Sequence, residues 1–260
     1  MENAPPIALV TGGASGIGYA VAAQWIQDGG RAALLDRSAS ALATAVARLG
    51  AGHATGVLAD VRDAESVGAA VERAAEFGGG RIDAVMNCAG IAEPIDAARG
   101  DDDAWVRMVD IHLNGTMRVC RAAYRHLAGS ERAAIVNISS LASGFGLPGR
   151  SNYSAAKAGI EGLTRALSVE WSPGIRVNAV APGYVATAMI DRLVSKGNLD
   201  PRPVIARTPL ARFAQPEEIA AAVNFLVGAS ASFITGVTLR VDGGISVEGD
   251  WYATRERATA

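Results

Sequence analysis

The chain has 260 residues, 50% of them hydrophobic and 19% charged, whereas a disordered chain is poor in apolar residues and rich in one charge. Its net charge is −2, from 24 basic and 26 acidic residues. No run of like charge exceeds Asp101-Asp102-Asp103, so nothing resembles the basic stripe of a nucleic-acid binder. Cys88 and Cys120 lie far apart with no Cys-x-x-Cys pair, which reads as two free thiols in a reducing compartment. No charged segment followed by a long apolar one opens the chain. The most apolar long window, 219–239, contains Asn224, Ser230, Ser232 and Thr235, which argues against a membrane span. A cytoplasmic protein without a nucleic-acid or membrane partner is expected. Of the 24 cations only Lys157 and Lys196 are lysines; arginine is the default here, so each lysine draws notice.

Seven apolar runs predict strands at Ile7–Thr11, Ala32–Asp36, Ala54–Ala59, Ile82–Asn87, Ala134–Ser139, Ile175–Ala181 and Val237–Val241. Continuous runs mean burial on both faces, as in a parallel sheet covered by helices. Helical stretches fall between them at Gly16–Gln27, Ala39–Arg48, Ala64–Glu76, Asp103–Leu127, Ser151–Trp171 and Pro216–Val227. This alternation predicts one doubly wound α/β domain of about seven parallel strands flanked by helices on both faces. The stretch 181–215 is irregular, with Pro182, Pro201, Pro203 and Pro209. After a strand's carboxyl end such an excursion lies over the ligand crevice, so a substrate loop is expected near 183–215.

The first predicted strand runs into Thr11-Gly12-Gly13-Ala14-Ser15-Gly16-Ile17-Gly18 and then a helix. Glycines permit a sharp turn and a close approach of backbone amides to a pyrophosphate, which the helix N-terminus favours. Asp36 ends the second strand, where a carboxylate accepts hydrogen bonds from ribose hydroxyls and repels a 2′-phosphate. That favours NAD over NADP, although Arg37 beside it could hold the phosphate. Tyr153-Ser154-Ala155-Ala156-Lys157 places a tyrosine and a lysine on one helix face. Tyrosine ionises near pH 10, and a neighbouring ammonium lowers that value toward the range of acid–base catalysis. With five tyrosines and two lysines, chance supplies such a pair only about 0.04 times.

The Gly-x-x-x-Gly-x-Gly turn and the Tyr-x-x-x-Lys pair resemble the short-chain dehydrogenase/reductase family, as do Asn87-Cys88-Ala89-Gly90, Asn178-Ala179-Val180-Ala181-Pro182-Gly183 and Val241-Asp242-Gly243-Gly244. The resemblance spans roughly Ile7 to Gly244 and implies a Rossmann-type fold. It implies cofactor contacts at Gly12, Ser15, Gly16, Ile17, Gly18, Asp36, Arg37, Asp60, Val61, Asn87, Ala89, Gly90, Tyr153, Lys157, Pro182, Gly183, Val185 and Thr187. It further implies a catalytic tetrad of Asn114, Ser140, Tyr153 and Lys157. In it Ser140, chosen over Ser139 by its spacing of 13 from Tyr153, orients the substrate oxygen. Asn114 supports a proton path to the lysine. Cys88 replaces an asparagine and reads as a small buried residue, not a nucleophile. Ala142, Ser143, Tyr184 and Met189 are expected in the substrate pocket, no metal is expected, and self-association to a homotetramer is implied.

Three functions follow as alternatives. The first is NAD-dependent oxidation of a secondary alcohol, polyol, sugar or similar molecule. The second is reduction of a 3-oxoacyl group on an acyl-carrier protein, which requires a basic docking patch; Arg121 and Arg125 are candidates, but the segments before Ser140 and Ile175 are charge-balanced or lack bases. The third is a nucleotide-binding regulator without turnover, against which the complete tetrad counts.

Overall fold

The computed structural model describes residues 4–249. Seven strands form one parallel sheet: β1 (Ile7–Thr11), β2 (Arg31–Asp36), β3 (Ala54–Leu58), β4 (Ala84–Asn87), β5 (Ala134–Ile138), β6 (Arg176–Pro182) and β7 (Thr238–Val241). Their order is β3-β2-β1-β4-β5-β6-β7. The order reverses between β1 and β4, and a doubly wound sheet opens its ligand crevice at the carboxyl ends of such strands. Thr11 pairs with Asn87 across that point.

Alternation along each strand sends side chains to two separate cores. Ala8 and Val10 of β1 pack with α1 (Gly16–Gln27), α2 (Ala39–Leu49) and α9 (Pro216–Val227), whereas Leu9 packs with α3 (Ala64–Phe77) and α5 (Gly115–Leu127) on the opposite face. Both faces are thus buried, which is why the strands read as unbroken apolar runs.

Two expectations are corrected. The predicted helix 103–127 is divided into α4 (Asp102–Val109) and α5 by a single π-turn over Asp110–Asn114. The irregular stretch 181–215 holds two short helices, α7 (Ala188–Ser195) and α8 (Pro201–Arg207). Asp200 accepts the Arg202 amide at 3.0 Å, ahead of Pro201 at the first helical position; a cap followed by proline is a helix start, a signal masked by the run of prolines. The longest helix is α6 (Ser151–Glu170), and among the described residues no helix is long and apolar enough to cross a membrane. The C-terminal stretch from 250 lies outside the described residues.

Candidate active site

A cleft of about 650 Å³ opens at the ends of β1 and β4. Its floor is backbone. Gly12 and Gly16 have φ of +63° and +54°, values an L side chain rarely adopts. A Cβ on Gly18 would sit 2.3 Å from the Gly12 carbonyl oxygen, so the helix can begin directly against the turn only without that atom. Ser15 stands at the N-cap of α1 in extended conformation, yet its side chain caps nothing, and no acid occupies the first turn. The amides at this helix start therefore remain available to an anion. Thr11 Oγ1 accepts the amides of Cys88 and Ala89, each at 3.1 Å, and so ties the turn to the end of β4.

The walls contain Ser15, Ile17, Asp36, Arg37, Asp60, Val61, Ala89, Gly90, Thr187 and Met189, all expected from sequence. Asp36 is not a helix cap: Ser38 caps α2, and Asp36 accepts the Ser38 amide at 3.1 Å from the cleft rim. Asp60 is gripped by Arg62 through bonds of 3.0 Å or less, and that guanidinium holds its carboxyl below the usual range. Thr187 precedes α7 and approaches Gly16 across the cleft. Arg192 of α7 and Lys196 at its C-cap complete this wall; they were missed because α7 was read as loop, although their i, i+4 spacing was visible. The glycine cradle, the uncapped helix start and the rim carboxylate together fit a dinucleotide.

Ser140, Tyr153 and Lys157 do not line this cleft; they lie beside it, joined to its wall through Ile91 and His112, where α6 brings Tyr153 and Lys157 to the end of β5. Ser140 follows that strand, its hydroxyl accepting the Ala142 amide at 3.1 Å and standing near enough to Tyr153 to favour the phenolate. Ser139 is buried against the Lys157 carbonyl and Glu161, so geometry favours Ser140. Lys157 Nζ donates to the Ile138 carbonyl at 2.7 Å and stands 5.5 Å from the Tyr153 ring centroid. Burial pulls the Lys157 ammonium down to about 7. Burial also raises the Tyr153 hydroxyl above its ordinary value, while the Ser140 hydroxyl and the Arg150 charge act in the opposite direction. Cys88 lies in the cleft wall with its thiol pushed up to about 12 by burial, consistent with an inert residue.

Several expected site residues are placed elsewhere. Asn114 is exposed and donates to Asp110 Oδ1 at 3.1 Å; it does not face Lys157. Two residues earlier in the same π-turn, His112 is only 2% exposed and meets the Tyr153 ring edge-on at 5.3 Å. Residues two apart on a helical turn point to different sides, so His112 takes the inward place. Its Nε2 lies 2.9 Å from the Ile91 carbonyl and 3.1 Å from the Ile91 amide. Its Nδ1 is buried without a partner among the described residues. Gly90 makes room for this ring, since a Cβ there would lie 2.3 Å from His112 Cε1. Burial keeps the imidazole well below its ordinary value, hence neutral.

The Asn87 side chain is also turned away. It shares the face of Val85 and donates to Asn137 Oδ1 at 2.9 Å and towards Cys120 at 3.3 Å. Val185 is a core residue, 5% exposed, bridged to Ala214. Pro182 is buried at the end of β6, and Gly183 packs against Asp242. Ala142 is buried, and Ser143 Oγ lies 2.7 Å from the Ser140 carbonyl and 2.5 Å from Glu161; both support Ser140 rather than line a pocket. Tyr184 stacks on Phe213 at 5.8 Å and lines a separate hollow of about 70 Å³ with Thr208 and Asp242.

Comparison with known proteins agrees with this geometry. A family model described as enoyl-(acyl carrier protein) reductase matches residues 12–246. The chain is 43% identical to cis-4-hydroxycyclohexanecarboxylate dehydrogenase of Sinomonas cyclohexanicum, over 92% of this chain and 95% of that one. It is 39% identical to galactitol 2-dehydrogenase (L-tagatose-forming) of Cereibacter sphaeroides, over 92% and 94%. Among solved structures, an actinorhodin polyketide ketoreductase variant with NADPH superimposes with a TM-score of 0.87 at 32% identity, covering 93% of this chain and 97% of that one. The fold, the glycine cradle and these relatives have one explanation: the chain belongs to the short-chain dehydrogenase/reductase family, oxidoreductases acting on CH–OH groups.

Proposed function

We propose that this chain transfers a hydride between NAD(H) and a secondary alcohol or ketone, with Tyr153 as the general acid and base. The observation that carries the reading is the Ser140–Tyr153–Lys157 corner, set beside a cleft that suits a dinucleotide. The nicotinamide, when bound, takes or gives the hydride. In the oxidative direction the Tyr153 phenolate removes the alcohol proton as the carbinol carbon gives up its hydride; in reduction the phenol returns a proton to the carbonyl oxygen. Ser140 donates to that oxygen and fixes its distance from Tyr153. Lys157, once protonated, favours the phenolate from beneath the ring. Asp36 at the cleft rim supports NAD, because a carboxylate there opposes a 2′-phosphate.

The alternative, an acyl-carrier-protein substrate, is favoured by the wording of the matched family model. Against it, Arg125, a candidate for the docking patch, is committed to Glu72 and His126. Homotetramer formation is part of the proposal. It is supported by Phe225 of α9, Phe233, and Val237 and Leu239 at the β7 edge, all left exposed.

The test is turnover of hydroxycyclohexanecarboxylate, galactitol and acetoacetyl-CoA with each of the two cofactor forms, alongside Tyr153→Phe. The expected result is oxidation of an alcohol with NAD, and a loss on the order of 10³-fold in the variant with NADH binding retained. A variant that keeps turnover within tenfold of the parent overturns the role of Tyr153.

A further inference from the structure

Arg150 immediately precedes α6, three residues before Tyr153. Its carbonyl accepts the Ser154 amide at 2.8 Å and so closes the first turn, which holds Arg150 one turn from Tyr153 with a side chain long enough to reach the space before that hydroxyl. The residue is half-buried, and among the described residues only its backbone is hydrogen-bonded, to Leu147 and Ser154, while its guanidinium has no ion pair or hydrogen bond. The acids on adjoining segments are committed. Glu93 pairs with Arg107 at 2.7 Å. Asp96 accepts the amides of Ala98 and Arg99, Asp101 caps α4, and Glu161 receives the Ser139 and Ser143 hydroxyls. The start of α6 adds to the imbalance: its N-cap side chain makes no cap bond and no acid lies in its first turn, where Asn152 Oδ1 accepts the Tyr153 amide without bringing a charge. The Ser151 and Ser154 hydroxyls in that turn are buried without partners. The Arg150 charge bears on both Tyr153 and Tyr184 and favours the phenolate of each, against the larger opposing effect of burial.

We propose that Arg150 is the specificity-determining residue of this site and binds a carboxylate on the substrate, so that the alcohols oxidised are hydroxy acids. Withdrawing a guanidinium from water without a partner costs free energy, which an incoming anion offsets. The planar fork matches a carboxylate with two parallel hydrogen bonds, which a lysine cannot reproduce. The anion is held at the start of α6 while the carbinol oxygen meets Tyr153 and Ser140 one turn further on. This inference rests on the reading of Tyr153 as the proton-transfer group.

The test compares kcat/KM for hydroxycyclohexanecarboxylate and for its methyl ester in the parent, Arg150→Gln and Arg150→Lys. The parent is expected to prefer the acid by on the order of 10- to 100-fold. Arg150→Gln should bring that ratio close to unity through KM for the acid, and Arg150→Lys should keep part of it. Cyclohexanecarboxylate, which lacks the hydroxyl, should inhibit competitively and raise the parent's melting temperature, both effects weakening in Arg150→Gln; this arm needs no turnover. A parent that turns over the ester as well as the acid overturns the Arg150 assignment and leaves the oxidoreductase reading standing. Failure of both alcohols, together with undiminished stabilisation by cyclohexanecarboxylate in Arg150→Gln, overturns both. Should Arg150→Gln fail to fold, an acid-to-ester ratio in Arg150→Lys equal to the parent's overturns the assignment alone.

Discussion

The cleft beneath α1 and the Tyr153 corner beside it are built from different materials. Beneath α1 the working groups are backbone amides, and the side chains that matter are those removed, at Gly12, Gly16 and Gly18. Around Tyr153 the groups of the proposed reaction are side chains from four places: Ser140 after β5, Tyr153 and Lys157 on α6, His112 in the π-turn and Arg150 at the cap. A backbone site is specified by where a Cβ cannot fit. A side-chain site is specified by helical phase, which one extra residue in a turn can reset. The first should be intolerant of any added atom, and the second should respond according to which group is lost.

Gly18→Ala should give the largest effect of the substitutions that probe this difference. The added Cβ would fall 2.3 Å from the Gly12 oxygen, a backbone atom in a turn already held at positive φ. Relief requires α1 to move away from β1, at about 1–3 kcal/mol of overpacking strain. NADH affinity, followed by fluorescence titration, should fall more than tenfold, whereas Tyr153→Phe leaves it within a factor of about two. Equal loss of affinity in both variants would erase the distinction between the two regions.

His112→Leu sharpens the other side of the comparison. Leucine fills much of the space against Gly90 and Tyr153 but gives Ile91 no side-chain partner. Leaving a part-buried Ile91 backbone group without that partner costs about 1 kcal/mol, readable as a lower urea midpoint. Turnover should fall about tenfold, through loss of Tyr153 placement, with NADH binding unaltered. Asn114→Ala should change neither, because among the described residues that exposed side chain hydrogen-bonds only to Asp110. Unaltered turnover in His112→Leu, or a loss in Asn114→Ala, would return the role to Asn114.

That pair also shows how far the sequence could be read. The strands were legible because both-face burial leaves unbroken apolar runs, and each predicted strand lies within two residues of the observed one. The glycine turn was legible because its chemistry is local. Tyr153 and Lys157 were legible because they share one uninterrupted helix. Asn114 was misplaced because the π-turn leaves no mark in composition, and an extra residue in the turn changes which side chain faces inward. The side-chain direction of Asn87 was not read for a simpler reason: along β4 it has the parity of Val85 and so faces the helix layer. Arg150 carried no signal of its own, because its isolation appears only once the acids of neighbouring segments are seen to be engaged.

The smallest predicted effect concerns the charge beneath Tyr153. Burial brings Lys157 down from its ordinary 10.5 to about 7 in the folded chain. Between those values the unfolded chain binds a proton that the folded chain does not, so this group makes stability rise with pH from about 7 towards 10.5. Below about 7 both states bind the proton, and the contribution no longer varies. The ceiling is about 1.4 kcal/mol per pH unit for one group, and solvent reaching the site reduces it. Lys157→Met keeps an unbranched chain in the same space and removes the titration. Urea unfolding of both proteins at about pH 7, 8 and 9 should therefore show the parent gaining stability on the variant as pH rises. Parallel pH dependences would mean that Lys157 keeps its proton in the fold, and that a permanent cation supports the tyrosine throughout the working range.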